Sequence, residues 1–493
     1  MNYSYLNNIK FEKGKGNAIY LQIAHGIASL IKAGILKPGQ KLPGSRILAE
    51  KLGVNRNTIK SSVDELLSEG WVITRARSGL FINASLPLVS PQKNLSFSNE
   101  ISSVSGFYLT VNDMLSVPDV SHLPLQFNDG FPDPRLSPLN ELGREYHKLL
   151  KKTKPLDSFS YAEPEGDSLF RKVLSQQLNE YRGMKTSPAN LFITRGCIMG
   201  IYLVAQATLK PGDKVVIGER NYYTSNLCFK HFGAELLYIP VDDKGVDTHS
   251  LELLLQCHNV RMIYITSHHH HPTTVTLAPE RRIHLYELAK QHKIIILEDD
   301  YDFDYHYNNK PTLPIASMDT EGLVIYVGSY SKIIYPSIRI GFLVASSDLI
   351  LELCKYRRII DRQGDHIMER AIANIILDGT MQRYLRKSNK IYKRRKEYFC
   401  EQLRKNFTNY IDFKEPEGGM AVWVTFKQHS LHDISKRCKE RGLYLSDGTM
   451  HPNSLLYKNS CRMGFASMSE EEIDQSCLIL KEVIEDLNFN NSI

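Results

Sequence analysis

The sequence predicts an α/β protein in two parts: a small N-terminal winged helix-turn-helix, then a large domain whose parallel sheet is covered by helices. Three observations carry this expectation. At 493 residues the chain exceeds what one ordinary core organises. Near the N-terminus, two short helical patterns joined by a glycine turn precede a β-rich hairpin pattern. Beyond residue 122, helical stretches alternate repeatedly with short β-branched runs.

In IYLQIAHGIASLIKA, residues Ile19, Ile23, Ile27, Leu30 and Ile31 recur at helical spacing, and Gly34 follows as a stop. ILKPGQKLPGS is a turn-rich connector. Ser45 is expected to cap the next helix, RILAEKLG, which ends at Gly53. Asn55 or Asn57 then caps a helix running to about Glu69. WVITRA and LFIN flank the tip Arg77-Ser78-Gly79 and form the wing.

Charge singles out the same region. The chain carries a net +7, and residues 1–90 hold twelve Lys or Arg against five acids, while the remainder balances 49 against 49. A small basic module beside a neutral large one points to a polyanion partner. Hydrophobic residues at 42% and charged residues at 23% suit a soluble globular chain. No run approaches the roughly 18 apolar residues of a membrane span, and the polar start predicts no secretory leader. The eight cysteines include no CxxC pair and none in the N-terminal third. This suggests neither a disulfide framework nor a zinc site, and it suits a reducing cytoplasm.

The expected organisation is a DNA-binding domain over 1–84, a Ser-, Asn- and Pro-rich linker over 85–122 with a short helix near 107–115, and a large domain over 123–493. The strands of the large domain are expected in NLFIT, KVVIG, ELLYIPV, RMIYIT, IIILED, LVIYVG and IGFLVA. Ligands bind at the carboxyl ends of strands in open α/β sheets. Here IIILEDDYDFDYHY and LVIYVGSYSKIIYPSIRIGFLVA each end a strand in polar residues. A carboxylate from one strand and a lysine just beyond another fit what pyridoxal phosphate requires: an amine to condense with the aldehyde and an acid to keep the pyridine nitrogen protonated. The four consecutive histidines, His268 to His271, point in different directions along the backbone, and no metal is expected there.

The stretch from Ile19 to Ile82 resembles the winged helix of the GntR family of bacterial regulators. A recognition helix enters the major groove N-terminus first, so Arg56, Asn57, Thr58 and Lys60 would face base edges and phosphates. Arg46, Arg75 and Arg77 would meet backbone phosphates. Residues 125–487 resemble fold-type I aminotransferases, the PLP-dependent transferases, and the whole chain resembles the MocR/GabR-like subfamily of GntR regulators.

By that resemblance GSYSK makes Lys332 the Schiff-base lysine, and EDDYD makes Asp299 the partner of the pyridine nitrogen and Tyr301 the tyrosine beside the ring hydroxyl. Ser329 and Arg339 match phosphate ligands, as do Gly196 and Cys197 in the turn ITRGCIMG. Tyr161 matches a tyrosine reaching the neighbouring subunit's phosphate. Tyr222, with Tyr223 competing, matches the aromatic stacked on the ring, and Arg462 in CRMGFA the arginine that receives a ligand carboxylate.

Three departures stand out. His271-Pro272-Thr273-Thr274 replaces the usual Asn-Pro-Thr-Gly, with His271 left to bond the ring hydroxyl; Arg195 replaces a small Ser or Thr; Arg220 replaces a Pro. They leave cofactor binding in place and weaken the case for efficient transamination.

The resemblance implies a cytoplasmic, head-to-tail homodimeric transcription regulator that binds an operator in double-stranded DNA and senses an amino compound through an external aldimine. The alternatives are a working aminotransferase with a DNA-binding appendage, and a DNA-binding protein whose large domain only dimerises. The basic stretch Arg383 to Lys396 reads either as a solvated helix face or as extra phosphate contact.

Overall fold

The computed structural model describes residues 3–12, 17–75, 78–85, 105–109, 121–152, 160–307, 312–448 and 459–490. The chain divides into two compact units, residues 1–111 and 112–493, and the division falls inside the predicted linker.

In the N-terminal unit, α1 (Ile19–Lys32), α2 (Ser45–Leu52) and α3 (Arg56–Ser68) are followed by β1 (Val72–Arg75) and β2 (Gly79–Ile82). The apolar stripe of α1, Ile23, Ile27, Leu30 and Ile31, meets Leu48, Ile59, Leu66, Val72 and Ile82 in one core. Full burial of each such side chain is worth about 1.5–3 kcal/mol. The Ser62 hydroxyl donates to the Tyr20 carbonyl at 2.8 Å and ties α3 to α1. The strands pair antiparallel with Val72 opposite Ile82, and Lys41 bridges to Phe81 beside them.

Two capping expectations are decided here. Asn55 Oδ1 accepts from the Asn57 backbone N–H at 2.9 Å and caps α3. Ser45 does not cap α2. Gly44 holds the N-cap position in extended backbone, so Ser45 is already inside the first turn, and no side chain caps this helix. In the linker, residues 107–109 are not helical, and the rest of the expected short helix lies outside the described residues.

The strands of the large unit are β3 (Leu125–Phe127), β4 (Leu191–Thr194), β5 (Lys214–Gly218), β6 (Glu235–Ile239), β7 (Val241–Asp242), β8 (Gly245–Val246), β9 (Val260–Ile265), β10 (Ile295–Asp300), β11 (Val324–Ser329), β12 (Gly341–Val344), β13 (Ile411–Phe413), β14 (Ala421–Phe426), β15 (Leu443–Leu445) and β16 (Ser460–Gly464). The main sheet has the order β4-β12-β11-β10-β9-β5-β6 and contains all seven expected strands. It is not wholly parallel, because β12 runs against both β11 and β4. Residues 330–340 join β11 to β12 through a single 3-10 turn, Pro336–Ile338, and so without the helical crossover that parallel neighbours need.

Both faces of the sheet are buried, which explains the near-continuous apolar runs. Phe192, Leu297 and Val327 pack under helices Cys197–Thr208 and Ser347–Ile360. Val216, Ile263 and Ile296 pack under Thr248–Cys257 and Pro279–His292. A second sheet, β13-β14-β16, is antiparallel, and β15 pairs with β3 from the start of the unit.

The basic stretch lies on the long helix Thr380–Phe407. Arg394 pairs with Glu470, Arg395 with Asp133 and Lys396 with Glu415, whereas Arg386, Lys387, Lys390 and Lys393 are exposed. Among the described residues, no helix is long and apolar enough to cross a membrane.

Candidate functional site

β4, β9, β10 and β11 run in the same direction, so their carboxyl ends share one edge of the sheet. A cavity of about 440 Å³ opens there. Asp299 enters it from the end of β10, Ser329 from the end of β11 and Lys332 from the turn that follows. Helix Cys197–Thr208 starts at the same edge, and β16 brings Arg462 in from the second sheet.

Asp299 is 3% exposed. Its Oδ2 accepts from Tyr264 Oη at 2.8 Å, and its Oδ1 is buried without a hydrogen-bond partner. Burial pushes the carboxyl up to about 6, against the pull of the Tyr264 hydrogen bond. Lys332 Nζ donates to the carbonyls of Asp129 at 3.1 Å and Gly130 at 2.9 Å and lies 4.5 Å from the Phe131 ring centroid. Burial holds its ammonium below the ordinary lysine value, which makes the free amine more accessible.

Gly196 is the N-cap of helix Cys197–Thr208 at φ +85°, and a Cβ there would lie 2.9 Å from Arg339 Nη2. Arg339 itself adopts φ +52° and donates to the Arg195 carbonyl at 2.6 Å, so its guanidinium is held against the helix start. A cation and free backbone N–H groups at a helix N-terminus make an anion site. Ser329 Oγ accepts from the Ser331 backbone N–H at 3.0 Å. Ser331 lines the cavity with a buried hydroxyl that has no partner.

Tyr222 and Tyr223 both line the cavity. Tyr222 meets the His271 ring edge-on at 5.0 Å between centroids, and burial pushes its hydroxyl up to about 12. Tyr301 also lines the cavity and donates to the His269 carbonyl at 2.9 Å.

His271 Nε2 lies 3.0 Å and 3.2 Å from the two Asp129 oxygens, and Arg462 Nε lies 2.9 Å from Asp129 Oδ1. Burial alone would raise the Asp129 carboxyl, but His271, Arg462 and Lys332 outweigh it and hold it well below the usual carboxylate range.

The cavity thus gathers Lys332, Asp299, Tyr301, Ser329, Arg339, Cys197, Tyr222, His271 and Arg462, with Gly196 beside Cys197. Tyr161 is not among the lining residues. It is 73% exposed and lies under Arg362, 3.6 Å from the guanidinium to the ring centroid. The departing arginines are taken up elsewhere: Arg195 pairs with Asp361 at 3.1 Å, and Arg220 is buried over the Trp423 ring.

The four histidines take four separate partners, Asp300, Asp302, Thr273 and Asp129. Among the described residues, His249, Glu252 and His284 lie close enough to converge on an ion, but none of them lines the cavity.

Sequence reasoning missed Asp129, Ser331 and Tyr264. For Ser331 the S-x-S-K spacing was available; the other two act through contacts distant in the chain.

On the N-terminal unit, Arg46, Arg56, Asn57, Lys60 and Arg75 are exposed, and Thr58 is half-buried. The Arg75 guanidinium lies over the Phe81 ring at 4.7 Å, and Arg77 is outside the described residues. Arg56, Asn57 and Lys60 share the first turns of α3, the end that Asn55 caps.

Comparison with known proteins agrees with both halves. Residues 147–480 match the aminotransferase class I and II family, and residues 19–82 match the bacterial regulatory proteins of the gntR family. The chain is 26% identical over 413 residues to the probable rhizopine catabolism regulatory protein MocR of Rhizobium meliloti, covering 83% of this chain and 82% of that one. It is 27% identical to the HTH-type transcriptional regulator TauR of Rhodobacter capsulatus, covering 86% and 89%. Among solved structures, kynurenine aminotransferase of Pyrococcus horikoshii superposes with a TM-score of 0.67 at 26% identity, covering 74% of this chain and 91% of that one. The chain belongs to the aminotransferase class I and II family and joins to that domain a gntR-type DNA-binding domain, the combination found in regulators of the MocR subfamily.

Proposed function

We infer that the protein is a pyridoxal-phosphate-dependent transcription regulator that binds DNA through α3 and the wing and senses an amino compound in the cavity of its large domain. One observation carries the reading. A buried lysine amine, Lys332, and a buried carboxylate with an unpartnered oxygen, Asp299, line a single cavity in a chain whose N-terminal unit exposes Arg56 and Lys60 on the first turns of α3.

The residues present fit the cofactor. Lys332 would hold it covalently, and Asp299 would keep a proton on its pyridine nitrogen, which gives the orphaned Oδ1 a partner. Arg339, Ser329, Ser331 and the backbone N–H groups at Gly196 and Cys197 would take its phosphate. Tyr222 would cover the ring face, and Tyr301 and His271 would serve the ring hydroxyl. When bound, the cofactor supplies an aldehyde that condenses with primary amines, which is why an amino compound is the expected effector. Arg462 would orient the effector by its carboxylate.

Cytoplasmic placement and a head-to-tail homodimer belong to the same reading. The exposure of Tyr161, away from its own chain's cavity, suits a side chain that serves a neighbouring subunit. The domain division over 1–84, 85–122 and 123–493 is likewise part of it.

A working aminotransferase is the second reading, favoured by the convergence of Lys332, Asp299 and Arg462 on one cavity. Steady turnover of an amino donor with a keto acceptor would establish it.

The test of the leading reading has two arms. Purified protein should absorb near the visible edge, with the absorbance lost in Lys332→Ala. A gel shift on a fragment from the protein's own promoter region should be abolished by the pair Arg56→Ala/Lys60→Ala. Colourless protein after incubation with pyridoxal phosphate, or unchanged DNA binding by the pair, overturns the corresponding half.

A further inference from the structure

Arg462 is a fixed cation. Its side chain is 4% exposed, Nη1 donates to the Pro272 carbonyl at 3.2 Å, and Gly130 presses so close that a Cβ there would lie 3.3 Å from Nη2. A buried guanidinium stripped of its counter-ion is strongly destabilising, so Arg462 needs an anion at all times.

Asp129 supplies that anion, and it is built differently. Its side chain is 42% exposed and lines the cavity, while the backbone beneath is anchored. The Gly464 N–H donates to the Asn128 carbonyl at 2.8 Å, and the Phe131 N–H donates to Asn128 Oδ1 at 2.9 Å. A swing of the Asp129 carboxylate away from Arg462 would break its contacts with Arg462 and His271 but need not move the loop beneath it, so an incoming carboxylate has to replace only those side-chain contacts. The same carboxylate also occupies His271, at 3.0 and 3.2 Å. The side chain read as the receptor of a ligand carboxylate, Arg462, is thus already paired with an acid of the chain itself.

We propose that Asp129 is a built-in competitor for the ligand carboxylate and the residue that sets the specificity of the pocket. This rests on the reading of Arg462 as the carboxylate receptor. A ligand gains Arg462 only by exchanging its own carboxylate for that of Asp129. Compounds with a carboxylate at the right reach drive the exchange, and because the buried arginine is never left bare, the exchange is one anion for another. Amines without a carboxylate leave the Asp129–Arg462 pair closed. The effector class that follows is an amino carboxylate, bound more weakly than an unopposed arginine would allow.

The experiment is a calorimetric titration of the full chain with succinate as the plain carboxylate probe and n-butylamine as the probe without one, with and without pyridoxal phosphate. Asp129→Asn is expected to tighten succinate tenfold or more and to leave n-butylamine within twofold. Arg462→Gln is expected to remove succinate binding in both backgrounds. Asp129→Ser, expected to behave like Asp129→Asn, covers the case in which the first variant does not fold. Succinate binding no tighter in either Asp129 variant than in the unaltered chain overturns the proposal. If succinate binds the unaltered chain and Arg462→Gln leaves that binding intact, Arg462 is not the receptor, and the reading of the pocket falls along with the part given to Asp129. Neither result depends on whether the cofactor or the DNA binds.

Discussion

Tyr264 and Asp299 hold one another across 2.8 Å between β9 and β10, and the bond satisfies only one of the two carboxylate oxygens. The aspartate is thus buried with its Oδ1 left without a hydrogen bond, and burial pushes it up to about 6. A carboxyl raised from its unfolded value near 3.8 is stabilising below that value, and the contribution is lost as pH rises through about 6.

The first prediction follows from that sign. Without cofactor, Asp299→Asn should raise the melting temperature relative to the unaltered chain at pH 7, and the gap should close as pH falls from 6 toward 4. The size at neutral pH is on the order of 3 kcal/mol. Pyridoxal phosphate should reverse the order, because the amide cannot keep the ring nitrogen protonated. Melting curves from pH 4 to 8, with and without cofactor, check both limbs; a gap that does not change with pH counts against a titrating Asp299.

Gly196→Ala should damage the anion site without touching the lysine. The residue sits at φ +85°, which a side chain rarely adopts, and the new Cβ would meet Arg339 Nη2 at 2.9 Å. Strain of this kind costs about 1–3 kcal/mol, and the guanidinium must shift off the helix start. Pyridoxal phosphate affinity should fall tenfold or more, read by quenching of protein fluorescence. Pyridoxal without its phosphate should lose much less, and equal losses for the two would place the damage elsewhere.

Much of this architecture is legible in the sequence, for an identifiable reason. Strands buried on both faces must be apolar throughout, so β4, β5, β9, β10, β11 and β12 stand out as runs. The direction of β12 was not legible, because Gly341–Val344 is buried along its whole length whichever way it runs. Three-residue strands such as Leu125–Phe127 and Leu443–Leu445 are too short to show a period. Lys332, Asp299 and Arg339, expected from one compact region of sequence, all line the cavity. Asp129 was missed because its partners, His271 and Arg462, lie far along the chain, and nothing in FNDG announces them. Ser45 was misassigned because Gly44, with no side chain to cap with, holds the cap position.

Asn55 offers a test of how α3 is presented. Its side chain accepts from the Asn57 N–H and fixes the turn that carries Arg56 and Lys60. Asn55→Ala should cost about 1 kcal/mol, whereas Asn55→Asp should cost little. The chain has two tryptophans, and Trp71 belongs to this unit. Urea unfolding followed through Trp71 in a Trp423→Phe background therefore isolates the loss; an alanine variant as stable as its parent would mean the cap contributes nothing in solution.

The last prediction separates charge from folding on that same turn. Arg56 and Lys60 are exposed, while Ile59 between them is buried in the core of the unit. If the two cations meet phosphates, each releases about one counterion on binding, and the slope of log affinity against log salt should fall by about 2 in Arg56→Ala/Lys60→Ala. Ile59→Ala should instead lower stability by roughly 2–5 kcal/mol through the cavity it leaves, and the molecules still folded should keep the full salt slope. Fluorescence anisotropy on a labelled operator fragment, taken between 50 and roughly 200 mM salt, gives both numbers. An unchanged slope in the double variant would move the DNA contact off α3, because no loss of folding can imitate the release of ions.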